Sequence, residues 1–181
     1  MVTSRQELIS SIESYTITEA LEIEFKSKFL QLLHHPRAYF RDNLPGHITG
    51  SAWIVDESRK FVLLTHHAKL NKWLQPGGHA DGDENIYNVA LREAEEETGL
   101  ADFKLLQHSI FDFDVHTIPA RPDFPQHLHY DVRFIFKASR DQALTITEES
   151  HDLQWVALAD IAQRTEHNQS MIRMAEKTKL L

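Results

Sequence analysis

Apolar side chains recur about every 3.6 positions through residues 4–35, and at nearly every second position after His47. The pattern predicts a helical start followed by strands. In the first stretch Leu8, Ile9 and Ile12, then Ala20, Leu21, Ile23, Phe25, Phe29, Leu30 and Leu33, mark the helical periodicity. Thr16 and Thr18 divide it into two helices, with Thr18 a candidate N-cap and Pro36 the stop. HITGSAWIV and KFVLLTHH alternate as strands across the turn Asp56-Glu57-Ser58-Arg59. KWLQP is a short strand leading into Gly77-Gly78. Residues 85–98 form a helix with an apolar side of Ile86, Val89, Ala90 and Ala94, and Gly99 as its C′ stop. FKLLQHSIFDFDVH and HLHYDVRFIFKAS read as β regions around the Pro-rich loop TIPARPDFPQ, and DLQWVALAD as the last strand. Residues 159–164 and 169–179 read as helices. The mixture predicts an α/β sandwich with a mixed sheet: a helical extension over residues 1–44 and a main domain over 45–181.

Composition narrows the function. The chain has 181 residues, 25% charged and 41% hydrophobic, the balance of a globular protein. Its formal net charge of −8 argues against gripping a nucleic-acid polymer by charge. Small phosphorylated ligands stay open, because a metal supplies positive charge locally. With no cysteine, disulfides, zinc–cysteine sites and thiol nucleophiles are excluded. No apolar run reaches the roughly 18 residues of a membrane span, and the N-terminus has no apolar signal core, so a cytoplasmic protein is expected. The helical extension reads either as a dimer contact or lid, or as a pair packed on its own domain.

The helix before Gly99 carries the candidate chemistry. Glu93, Glu96 and Glu97 are spaced i, i+3, i+4, which puts three carboxylates on one face. Like charges at that spacing repel by roughly 0.2–0.5 kcal/mol per pair. Near a helix C-terminus the dipole adds roughly 0.3–1 kcal/mol for each anion. A cation at that face relieves both penalties, and hard oxygen donors select Mg²⁺ or Mn²⁺.

Gly78, Glu84, Arg92-Glu93, Glu96-Glu97 and Gly99-Leu100 stand in an order and spacing that resembles the Nudix box at every specified position. The strand order over about residues 45–165 is also similar to a Nudix fold. The resemblance implies metal-dependent hydrolysis of a nucleoside diphosphate linked to another moiety. It implies that Glu93, Glu96 and Glu97 bind the metal and that Arg92 orients a box glutamate. Gly77 and Gly78 then let the backbone turn tightly and approach metal or phosphate. Glu84 reads as a supporting residue near the helix start, and His79 as a residue able to approach phosphate. The base that deprotonates the attacking water is either Glu97, within the box, or Glu149, in the loop before the last strand. The substrate is a small nucleotide or another diphosphate.

Twelve histidines are present, several on two strands. Alternation puts Asp112, Asp114 and His116 on one face of FDFDVH, and His127, His129, Asp131 and Arg133 on one face of HLHYDVRFIF. Paired, these stripes form one polar surface. It reads as a pocket wall, with Arg133 and the histidines meeting phosphate or sugar, as a transition-metal site built from His127, His129 and His116, or as a solvent face. Trp53, Trp73, Tyr87 and Trp155 could each stack a base or fill the core. Set against the hydrolase is a catalytically silent Nudix module that binds a nucleotide as a sensor; the complete carboxylate set favours the hydrolase. An isopentenyl-diphosphate isomerase type would use a cysteine that this chain lacks.

Overall fold

A computed structural model describes residues 2–181 as an α/β fold. Its elements are helices α1 (Arg5–Ser14) and α2 (Ala20–Leu33), strands β1 (Gly46–Val55), β2 (Phe61–His67), β3 (Lys72–Leu74) and β4 (Gly77–His79), helix α3 (Ile86–Thr98), strands β5 (Lys104–Leu105), β6 (Asp112–Ile118), β7 (His127–Lys137) and β8 (Ser150–Ala157), and helices α4 (Ile161–Arg164) and α5 (Gln169–Thr178). By hydrogen bonding the strands run β3-β2-β1-β7-β5, with β4 on β1, β6 on β7 and β8 on β2. The chain groups into two units, and β1, α3 and β7 each contribute to both.

The first unit holds the chain up to Ser51, Gly77–Ala90 and Gln107–Phe134. Here α1 and α2 are packed, not free: Leu8, Ile12, Phe25, Phe29 and Leu33 are buried. Phe29 meets Phe113 and Tyr130 edge-on at 5.4 and 5.3 Å, and Tyr15 meets Phe113 at 4.7 Å. The buried face of α2 is Glu22, Phe25, Phe29 and Leu33, whereas Leu21 and Ile23 are exposed. Thr18 is not the N-cap. Glu19 holds that position, and the buried Glu22 carboxylate reaches back to accept from the Glu19 and Thr18 amides at 3.0 and 2.7 Å.

β4 corrects another expectation. Gly77-Gly78 is not a tight turn but extended strand, pairing with Ser51 and Gly50 of β1. A Cβ at Gly77 would lie 2.1 Å from Ser51 Oγ, so this glycine is required by the close approach of two strands. β6 and β7 pair in the register Asp112↔Arg133, Asp114↔Asp131, His116↔His129, which joins the two polar stripes.

The second unit holds Ala52–Pro76, Leu91–Leu106 and Ile135–Leu181. β2 pairs with β8 along its length, with β3 from Thr65 to His67 and with β1 at Val62 and Leu63. The β1–β2 turn is tied by Asp56, whose carboxylate accepts from Ser58 Oγ at 2.7 Å and from the Lys60 and Phe61 amides at 3.0 and 3.1 Å. Trp53 is core: it is fully buried, and its indole N–H donates to Thr178 Oγ1 of α5 at 2.8 Å.

Candidate functional site

Helix α3 begins where Asn85 Oδ1 accepts the Asn88 amide at 3.1 Å. It ends at Gly99, whose φ of +69° suits only a residue free of Cβ strain and whose amide bonds Glu95 O at 3.0 Å. Ile86, Val89, Ala90 and Ala94 are buried, which fixes the rotation of the helix and hence which side chains remain for chemistry.

In the second unit, Arg92 Nη1 lies 2.8 Å from Glu93 Oε1 and 3.1 Å from Glu96 Oε2, bridging two carboxylates one turn apart. Glu93 is mostly buried, Glu96 is exposed, and Glu97 is buried at 7%. Burial pushes the Glu93 carboxyl above its ordinary range; Arg92 opposes this, while Glu96 and Glu149 add to it. Glu149 is therefore close enough for its charge to act on Glu93. It is exposed, and its carbonyl is anchored by the Ala68 amide at 2.8 Å. Among the described residues Glu93, Glu96 and Glu97 do not bring one oxygen each within 4.8 Å of one another, so an ion held by all three would require their side chains to turn inward. The donors are all hard oxygens, which fits Mg²⁺ or Mn²⁺ and not a soft metal.

In the first unit, Glu84 is fixed by the helical extension. Arg5 Nε donates to Glu84 Oε1 at 2.9 Å, and the same guanidinium donates to the carbonyls of His35 and Pro36 at 3.0 and 3.2 Å. Nothing in the chain's periodicity points to Arg5.

Arg133, expected at a phosphate, lies elsewhere. It is 3% exposed and buried in a carboxylate cluster. Its Nε donates to Asp131 at 2.7 Å and its Nη1 to Asp112 at 2.9 Å, with Asp114 at 3.9 Å. Asp131 also accepts from Ser51 Oγ and Thr49 Oγ1 of β1 at 2.7 and 3.1 Å. The reason is desolvation: a buried guanidinium is stable only where carboxylates surround it, and those same carboxylates disfavour an anionic phosphate.

The other half of the stripe is a nest of imidazoles. His47 of β1 has ring centroids of His79, His127 and His129 within 5.2, 5.0 and 5.0 Å, and His116 lies 5.6 Å from His129. Among the described residues, His47, His127 and His129 form the one group of three whose ligand atoms all lie within 4.8 Å of one another. Burial lowers the pKa of His79 to about 4 and that of His129 to about 2, so both rings are neutral near pH 7. The sequence reading missed His47, although His47, Thr49 and Ser51 alternate with apolar Ile48 and Ala52 and so announce a polar face.

Of the remaining aromatics, Tyr87 packs edge-on against Phe134 at 5.7 Å. Trp73 is stacked on His66 at 4.9 Å, with Arg164 over its ring, and lines a cleft of about 760 Å³ together with Asp160 and Asn168. Trp155 has a buried indole nitrogen.

Residues 46–177 match the NUDIX domain family over most of the chain. The chain belongs to that family. A C. elegans Ap4A hydrolase has a similar fold, with a TM-score of 0.59 at 17% identity over 74% of this chain and 95% of its own. A probable DHNTP pyrophosphohydrolase of Lactococcus lactis is 26% identical over 142 residues, which is 76% of this chain and 82% of the relative. The m7GpppN-mRNA hydrolase NUDT17 of Xenopus laevis is 43% identical over 56 residues, 28% of this chain. The chain spans only 19% of that relative's length. Among the described residues no helix is long and apolar enough to cross a membrane.

Proposed function

We propose that this NUDIX domain is a metal-dependent pyrophosphohydrolase that cleaves a phosphoanhydride bond in a nucleotide or similar small diphosphate. The observation that carries this is Glu93, a largely buried carboxylate raised by burial, Glu96 and Glu149 on a helix with the complete set of box acids. The relatives named for Ap4A and DHNTP hydrolysis support the same class of bond. Glu93, Glu96 and Glu97 would hold Mg²⁺ or Mn²⁺, which when bound neutralises pyrophosphate oxygens and acidifies a water.

The protein's own groups divide the remaining work. Arg92 spans Glu93 and Glu96, and by holding both at defined rotamers it limits the cost of ordering them. Glu84, pinned by Arg5, secures the segment that enters α3. Two carboxylates compete as the base. Exposure and influence on Glu93 support Glu149, whereas the burial of Glu97 suits a ligand better than a group that must exchange protons with solvent.

The experiment is a steady-state comparison of Glu149→Gln and Glu97→Gln on dinucleoside polyphosphates and nucleoside triphosphates with Mg²⁺. Glu149→Gln lowers kcat at least about 10²-fold while metal binding is retained, the size of effect a general base supplies. Glu97→Gln weakens metal binding. Near-normal turnover in Glu149→Gln with loss in Glu97→Gln transfers the base role to Glu97. Normal turnover in both overturns the site. Tight nucleotide binding without turnover in the unaltered protein points to a binding-only module.

A further inference from the structure

We propose that His47, His127 and His129 form a second metal site, of nitrogen ligands, for a Zn²⁺-class transition ion. It differs in donor chemistry from the carboxylates of α3, and it does not rest on the hydrolase reading.

Three observations carry it. First, one ring already has the tautomer that coordination needs. His127 Nδ1 lies 2.9 Å from the carbonyl oxygen of Pro125, which can only accept, so Nδ1 carries the proton and Nε2 carries the lone pair. His47 Nδ1 faces the Asn43 carbonyl at 3.5 Å, the acceptor that an Nδ1–H of a coordinated ring would use. A metal-bound imidazole almost always donates its other N–H to a carbonyl or carboxylate, and two of the three rings have that partner in place.

Second, His47 is 1% exposed and its Nε2 is buried without a hydrogen-bond partner. An unmet buried acceptor of this kind costs free energy unless something fills it. Nε2 is also the nitrogen that keeps its lone pair when Nδ1–H points at the Asn43 carbonyl.

Third, the geometry is close to that of a coordinated ion. His127 Nε2 and His129 Nε2 stand 3.2 Å apart. Ligands about 2.05 Å from a tetrahedral Zn²⁺ are about 3.3 Å from each other. In the metal-free protein His129 Nε2 donates to His127 Nε2; on ion binding that proton passes to His129 Nδ1, so the ring stays neutral and its Nε2 gains a lone pair. The third ligand atom lies within 4.8 Å of both, so side-chain rotation alone can complete the triad. Imidazoles without carboxylates select Zn²⁺, Cu²⁺ or Ni²⁺ over Mg²⁺. Three protein nitrogens leave a fourth position for water, the arrangement of an open site and not of a closed structural one.

The site ties β1 to β7 within the first unit, since His47 opens β1 and His127 and His129 open β7. Ion binding is therefore expected to stabilise this unit.

The test is a titration of the chelator-treated full chain with Zn²⁺ in the presence of excess Mg²⁺, read by calorimetry and by imidazole ¹⁵N NMR. One equivalent binds tightly despite the Mg²⁺, and the side-chain signals of His47, His127 and His129 shift together while those of His34, His35 and His108 do not. His47→Asn weakens Zn²⁺ by more than about 100-fold, beyond what loss of a supporting outer contact produces. The proposal is overturned if Zn²⁺ is displaced by Mg²⁺, if the three rings keep their signals at saturation, or if folded His47→Asn binds as the unaltered chain does. Should His47→Asn fail to fold, the NMR of the unaltered chain decides the matter alone.

Discussion

A single guanidinium organises the polar interior of the first unit. Arg133 is bonded to Asp131 and Asp112, and Asp131 reaches on to Ser51 and Thr49. Removing one partner of a buried ion pair strands the rest, at a cost of about 3–5 kcal/mol. Arg133→Met is therefore expected to lower unfolding free energy by that amount in a denaturant titration. Adding Asp131→Asn to that variant recovers part of the loss. An Arg133→Met protein as stable as the unaltered chain would show that the aspartates are satisfied without it. At this scale the alternation of HLHYDVRFIF correctly placed His127, His129, Asp131 and Arg133 on one face. It could not tell a phosphate-binding arginine from a buried one, because that depends on Asp112, twenty-one positions away, and on β1.

At the scale of elements, helix α3 follows from local rules. Its apolar stripe, its Asn85 start and its Gly99 stop each rest on near neighbours. The same is true of the β1–β2 turn, which makes it a clean place to test linkage. Burial opposes the Asp56 charge, but the Ser58 hydroxyl and the Phe61 and Lys60 amides outweigh it, so the carboxyl is held below its ordinary value. A depressed folded pKa means that the unfolded chain binds the proton more readily. The stabilisation is thus complete above the unfolded value of about 3.9 and fades as pH falls through the folded one. Asp56→Ala should cost about 1–3 kcal/mol at pH 7. The gap between variant and unaltered chain should narrow toward pH 2. A gap constant with pH would mean that the carboxylate's charge plays no part in the turn. β4 was illegible for the opposite reason. Two glycines signal a turn in isolation, and only the Ser51 side chain across the ladder explains why an extended strand needs Gly77.

For the whole molecule, the net charge is −8 and acids crowd on α3, and the proposed hydrolysis makes a prediction about cations. Hydrolysis is expected to vanish in excess chelator and to return with Mg²⁺ or Mn²⁺, measured as phosphate release under constant ionic strength. Turnover that persists in chelator would exclude the hard-oxygen site. The helical extension belongs to this scale too. Its periodicity left a lid, a dimer contact and a packed pair all open; in the structure Phe29 packs on Phe113 and Tyr130. Sequence alone was sufficient for the α/β class, the acidic helix and the family resemblance, because each rests on spacing within one element or one short motif. Tertiary structure decided that Arg133 is interior, that Arg5 holds Glu84, and that His47 joins His127 and His129. Those outcomes turn on which distant side chains share a desolvated space, and a linear pattern carries no record of that.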